Sequence, residues 1–275
     1  MMRNAVQNLM RSFGFTLLRS ETYESLRQEQ ASLRETIASM QRMPLPSLEF
    51  PDEFPTRPEF NAAGLAGAAM EKLITDFDFD TVVDIGAGAQ LHSKIFSKHG
   101  KRVTAVDLGT SEYHRQKDPE TDGRVSEILG DINEIDFPTE YDCVWASHVL
   151  EHQSNVGLFL GKIVSILKED GVLAITVPPF KHEIVGGHAS VWNAGLLLYR
   201  LVLAGLDCRD ASVLAYGYNI SVIVRKRTIR DLQSLGLEFD CGDIRKIRPF
   251  LPDGLRFNSN ALDDPFDGNI ARLNW

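Results

Sequence analysis

His148 and His152 stand four residues apart with Glu151 beside them in "SHVLEH", the H-x-x-E-H spacing with which a helix can hold zinc. Their setting points to different chemistry. They follow directly on "YDCVWAS", a short apolar run that reads as a strand, and the ends of earlier strands already carry another kind of site. Asp84-Ile85-Gly86-Ala87-Gly88 closes one such run, and its glycines let backbone approach a ligand at a helix N-terminus. Nineteen positions after Gly88, Asp107 ends the next run, where a carboxylate can take both hydroxyls of a ribose. Position 91 is Leu, not the small residue of a dinucleotide fingerprint, and Asp84 inside the turn would repel phosphates. An adenosine ligand without phosphates but with a cationic amino-acid tail fits both features. A zinc peptidase has no use for that site, so no metal is expected.

These residues need a scaffold that brings strand ends together. From Asn61 onward, helical and strand patterns alternate: "NAAGLAGAAMEKLITDF", "TVVDIG", "LHSKIFSKHG", "RVTAVDL", "VSEILGDI", "YDCVWAS", "VGLFLGKIVSILKEDG" and "VLAITVP". Apolar strands separated by helices predict a parallel sheet covered on both faces. "AGLLLYRLVLAGL" then reads as a helix, and "SVLAYGYNISVIVRK" as two strands around a Gly-Tyr-Asn turn, the second antiparallel to its neighbour. The expected fold is α/β, a three-layer, doubly wound, seven-stranded, mostly parallel sheet with its last strand antiparallel and a helical arm at the N-terminus.

The domains follow: 1–43 an amphipathic helix and short coiled coil, 44–60 a proline-rich linker, 61–227 the core, and 228–275 an extension that could cap substrate. Tyr23, Leu26, Gln30, Leu33, Ile37 and Met40 within 22–41 alternate at three and four, the seam of a coiled coil, which would serve homo-oligomerisation or docking on the parent domain. Residues 1–19 are basic and amphipathic, suited either to an anionic membrane surface or to a protein surface. The 275 residues are 43% hydrophobic and 24% charged, a globular composition, and a net charge of −9 argues against nucleic acid as partner. Cys143, Cys208 and Cys241 lack C-x-x-C spacing and fit a reducing cytoplasm. The longest apolar runs near the N-terminus are too short for a membrane span, so the expected location is cytoplasmic, at the inner membrane face if residues 1–19 bind lipid.

"VVDIGAGAQ", "VTAVDL", "EILGDI", "YDCVWASHVLEH" and "LKEDGVLAITVPP" resemble, in order, the motifs of class I S-adenosylmethionine-dependent methyltransferases. The resemblance covers about residues 62–227 and implies the cofactor S-adenosylmethionine. It implies Asp84, Gly86, Ala87 and Gly88 beside the methionine part, Asp107 on the ribose and Leu108 against the adenine. Asp131 would meet the adenine amino group, with Ile132 stacking nearby, and Ala146, Ser147 and His148 would border the sulfonium. Residues 212–226 correspond to the terminal hairpin of the family.

Methyl transfer is an in-line displacement served chiefly by alignment, and a base is needed only for a protonated nucleophile. His148, His152, His182 and His188 are the catalytic candidates by motif position, with His92 also at hand on the helix after the glycines. His148 and His188 lead, one following the fourth strand and the other in the Gly-Gly-His loop after the fifth. The loop "PPFKHEIVGGHASVWNAG" mixes polar and aromatic residues as a sugar site does, and with the Asn- and Asp-rich tail it bears a faint similarity to methyltransferases of bacterial surface-polysaccharide synthesis. The expected reaction is therefore O-methylation of a sugar hydroxyl in a glycan or polysaccharide precursor. The alternatives are a small-metabolite or quinone-like acceptor, a nucleotide-sugar oxidoreductase, and a silent scaffold.

Overall fold

The computed structural model describes residues 25–32, 34, 54–117, 123–258 and 264–275. The chain divides into two compact units, 1–48 and 49–275. In the first, residues 25–32 and 34 are helical and exposed, Leu26 among them. The amphipathic stretch 1–19 and most of the heptad seam lie outside the described residues.

The second unit is built on one sheet. Its strands are β1 (Thr81–Ile85), β2 (Arg102–Asp107), β3 (Val125–Leu129), β4 (Tyr141–Ser147), β5 (Leu167–Val177), β6 (Ser212–Tyr216), β7 (Asn219–Arg225) and β8 (Arg272–Leu273), in the order β3-β2-β1-β4-β5-β7-β6-β8. β1 to β5 are parallel, and β7 runs antiparallel to both β5 and β6. The eighth strand is a two-residue edge pairing of Val213 and Leu214 with Leu273 and Arg272, which the sequence pattern did not reveal. Val82, Val83, Val144, Leu173 and Val222 are fully or almost fully buried, as strands covered on both faces must be.

The covering helices are α1 (Gly67–Asp76), α2 (Leu91–Lys98), the single turn α3 (Glu112–Arg115), α4 (Val156–Ser165), α5 (Ala194–Leu203) and the short α6 (Asp243–Ile247). Asn155 and Asn193 start α4 and α5 by accepting from the amides of Leu158 and Leu196 at 3.0 and 2.7 Å. Two boundaries differ from expectation. The helix expected from Asn61 is a 3-10 segment, Pro58–Ala66, broken at Gly64 (φ 56°), with the α-helix beginning only at Gly67. The helix expected to run to Gly171 stops at Ser165, because Leu167 pairs with Tyr141 and the chain is already strand.

The amino ends of the central strands β1 and β4 are pinned by Asp142. Its Oδ2 accepts from Thr81 Oγ1 and the amides of Thr81 and Asp80, and its Oδ1 from Lys168 Nζ. Partial burial opposes its ionisation, yet these donors together hold its carboxyl well below the ordinary carboxylate range. Asp142→Ala is expected to destabilise the fold by about 1–3 kcal/mol, as loss of a charged acceptor with several donors does, read as a lower urea midpoint at pH 7.

Candidate functional site

At the carboxyl ends of β1 and β2, the glycine turn is tied down by backbone. The amides of Gly86 and Ala87 donate to Val106 O at 2.8 and 3.1 Å, and Gly88 N donates to Asp107 Oδ2 at 2.9 Å. Gly86 (φ 71°) and Gly88 (φ 49°) take backbone conformations that side chains rarely adopt, and a Cβ on Gly86 would collide with Val149 Cγ2. The carboxylate of Asp107 also accepts from Gly109 N at 2.8 Å, and acceptor capacity remains on it for a ligand hydroxyl. Leu108 beside it is 62% exposed, placed to cover an aromatic base. Asp131 is exposed, its Oδ1 accepting from the amide and side chain of Asn133 at 2.9 Å each. These residues fit the binding of an adenosine group.

Three expected members of that site have buried side chains. Asp84 is 1% exposed, with its Oδ2 accepting from Ser93 Oγ at 2.6 Å, and burial raises its carboxyl pKa. It supports the turn from beneath. Ile132 and Ala146 lie in the main core, because alternate positions of a two-sided sheet and the turn after β3 point inward. Only Ser147 and His148 stand at the end of β4.

His148 does not have the helical geometry of a zinc motif. It has φ 54° and precedes the single 3-10 turn Leu150–His152. Its Nε2 lies 2.8 Å from Asn219 Oδ1 and its Nδ1 3.2 Å from Glu151 Oε1. The Asn219 amide is oriented by its own donation to Leu65 O at 2.6 Å, since a carbonyl only accepts. Nε2 must therefore carry a proton, and Nδ1 faces a fully buried carboxylate. Burial opposes charge on this ring, but the hydrogen bonds to Glu151 and Asn219 and the Glu151 charge raise its pKa. Both ring nitrogens of His148 thus face acceptors, an arrangement that favours its protonated form and counts against a role as general base.

Glu151 gathers the rest. Its backbone carbonyl accepts from Ala189 and Ser190 at 2.7 and 3.2 Å, drawing the loop after β5 over it. His152 Nδ1 lies 2.9 Å from Gly187 O and so donates, and its Nε2 lies 3.9 Å from Glu151 Oε1. The rings of His152 and His188 meet edge-on, centroids 5.0 Å apart. Glu151, His152 and His188 each bring one ligand atom within 4.8 Å of the others, and Glu151 Oε2 is buried without a partner. This trio could hold a divalent cation, a grouping the expectation of no metal did not foresee, because His188 comes from a distant loop. His182 is exposed and packs on Phe180, apart from the cluster. His92 is structural: Trp145 Nε1 donates to its Nδ1 at 3.1 Å, and its Nε2 donates to Ala63 O at 3.0 Å.

Tyr218, in the turn between β6 and β7, stacks near His148 (6.2 Å, 17°) and takes the Lys181 ammonium 4.3 Å over its ring. With Pro178, Ile184, Val185, His188 and Val191 it lines a small cleft. Neither Tyr218 nor Asn219 was singled out from the sequence, where only the Gly-Tyr-Asn turn marks the place.

Residues 83–175 match the model of the methyltransferase domain family. The reversed β6–β7 hairpin and the glycine–aspartate cradle around that segment agree with the fold of class I, S-adenosylmethionine-dependent methyltransferases. Over 105 residues it is 30% identical to the mitochondrial ubiquinone biosynthesis O-methyltransferase of Schizosaccharomyces pombe, which covers 36% of this chain and 38% of that protein. Over 97 residues it is 33% identical to the ubiquinone biosynthesis O-methyltransferase of Bradyrhizobium sp., covering 34% and 38%. The chain thus spans about 38% of the length of these curated relatives. The crystal structure of human N-acetylserotonin methyltransferase in complex with SAM superposes with a TM-score of 0.48 at 18% identity, covering 59% of this chain and 53% of that one.

The raised pKa of His148 gives a signed expectation. A pKa raised by folding stabilises fully below the ordinary histidine value near 6.5 and ceases to do so as pH rises through the raised value. Thermal denaturation of the native protein should show stability falling as pH is raised above 6.5, and His148→Gln should flatten that part of the profile.

Proposed function

We propose that the protein transfers the methyl group of S-adenosylmethionine to a hydroxyl oxygen of an acceptor with an apolar, ring-bearing body, a quinone-type compound rather than a sugar. The observation that carries the acceptor class is the cleft beside His188. The loop that reads as polar in sequence turns Phe180, Ile184, Val185 and Val191 outward, 54%, 92%, 38% and 54% exposed, and Tyr218 adds an aromatic wall. Apolar walls with a few convergent polar groups suit a flat, weakly polar acceptor. The O-methyltransferases of ubiquinone biosynthesis among the relatives point the same way.

When bound, S-adenosylmethionine supplies the methyl group and a neutral thioether as leaving group. The chain's part is to hold and to deprotonate. The glycine turn and Asp107 hold the adenosine end, and the loop anchored on Glu151 shields the acceptor from water. His188, half-buried at the cleft wall with no hydrogen bond to its nitrogens among the described residues, takes the proton of the acceptor hydroxyl. The orphaned Glu151 Oε2 favours a second reading, in which Glu151, His152 and His188 would hold a divalent cation that would lower the pKa of the hydroxyl. His188 cannot then be the base.

Activity with labelled S-adenosylmethionine should be found with catechols or hydroquinones and not with a panel of glycans; transfer only to glycans would overturn the acceptor class. His188→Ala should lower turnover at least about tenfold while changing affinity for S-adenosylhomocysteine by less than about twofold, general acid–base groups being worth 10²–10⁴. Turnover that survives EDTA supports His188 as base, and turnover lost to EDTA and restored by a divalent ion supports the cation.

A further inference from the structure

Beside the adenosine end of the site stands a histidine that the motifs do not include. The turn α3 begins at Ser111, whose Oγ accepts from His114 N at 3.0 Å, and it lies against the glycine turn: a Cβ on Gly88 would sit 3.2 Å from Tyr113 Cβ. This places the His114 side chain, 18% exposed, inward toward β2, with Nδ1 3.7 Å from Asp107 Oδ1. That nitrogen is shut off from solvent and has no hydrogen-bond partner. A bare imidazole lone pair aimed at a carboxylate would be repelled, so the tautomer with the proton on Nδ1 is the favourable one.

Asp107 already accepts from Gly88 N and Gly109 N, one on each oxygen. Both donors are backbone amides, and no other side chain among the described residues donates to this carboxylate, which leaves His114 as the side chain poised beside Oδ1. We propose that His114 is a positioning residue for the cofactor: acting through Asp107, its Nδ1–H fixes the orientation of the carboxylate that receives the ribose hydroxyls. This rests on the reading of Asp107 as the ribose-holding residue of a methyltransferase. His114 touches no reacting atom, so its effect is on cofactor affinity and on the value of the ribose hydroxyls.

The test is calorimetric binding of S-adenosylhomocysteine and of its 2′-deoxy analogue to the full chain. His114→Ala should weaken S-adenosylhomocysteine about fivefold and the analogue by less than twofold, so that the penalty for removing the hydroxyl shrinks. His114→Asn, whose amide nitrogen falls near the position of Nδ1, should restore both affinities to within about twofold of the native protein. His114→Gln, whose amide falls near Nε2 instead, should not. Equal weakening of both ligands, equal behaviour of the Asn and Gln variants, or unchanged affinity in all three would overturn the role. Should His114→Ala fail to fold, the contrast between Asn and Gln decides alone. A native protein that binds neither ligand would overturn the cofactor reading itself, and this role with it, whereas native binding with indifferent variants overturns only the role of His114.

Discussion

A fully buried carboxylate has to find its compensation nearby, and around Glu151 that requirement organises the edge of the sheet. His148 from the end of β4 supplies a positive charge, His152 brings Nε2 to 3.9 Å from the same oxygen, and the backbone carbonyl of Glu151 receives two amides from the loop after β5. A buried charge left unpaired costs several kcal/mol. The loop and the strand ends therefore stand or fall together, and the cleft wall that carries His188 is fixed by the same residue that neutralises His148. The pairing also separates the two leading histidines: the ring of His148 lies between two acceptors, while His188 is tied by no hydrogen bond among the described residues.

How much of this could be read beforehand depends on how local the cause is. The glycine turn, Asp107, the five parallel strands and the hairpin at 212–226 are set by short-range signals: β-branched runs, glycines at fixed offsets, an acid at a strand end. All stand where the pattern placed them. The strand that starts at Leu167 was hidden, because "ILKEDG" is a good helix end and only its pairing with Tyr141, far off in sequence, makes it strand. Likewise Asp84, Ile132 and Ala146 occupy motif positions yet are buried, since a motif gives the residue but not the side of the sheet it faces.

The groups that decide the chemistry are non-local for the same reason. Asn219 reaches His148 across 71 residues, and His188 meets Glu151 and His152 across a loop whose shape the sequence does not specify. That loop also shows the limit of composition as a guide. Its lysine, glutamate and histidines suggest a polar surface, yet Phe180, Ile184, Val185 and Val191 are turned outward beside them, and exposure rather than content sets what a surface can bind.

The segment Pro58–Ala66 is irregular, yet two of its carbonyls orient side chains in distant parts of the fold. Ala63 O receives His92, and Leu65 O receives the amide that dictates the proton arrangement on His148. A kinked 3-10 segment thus sets the hydrogen-bond polarity of that edge of the sheet. The same segment buries Phe60, Ala63 and Ala66 against the strands, so packing of the core and orientation of Asn219 are lost together if it is trimmed away.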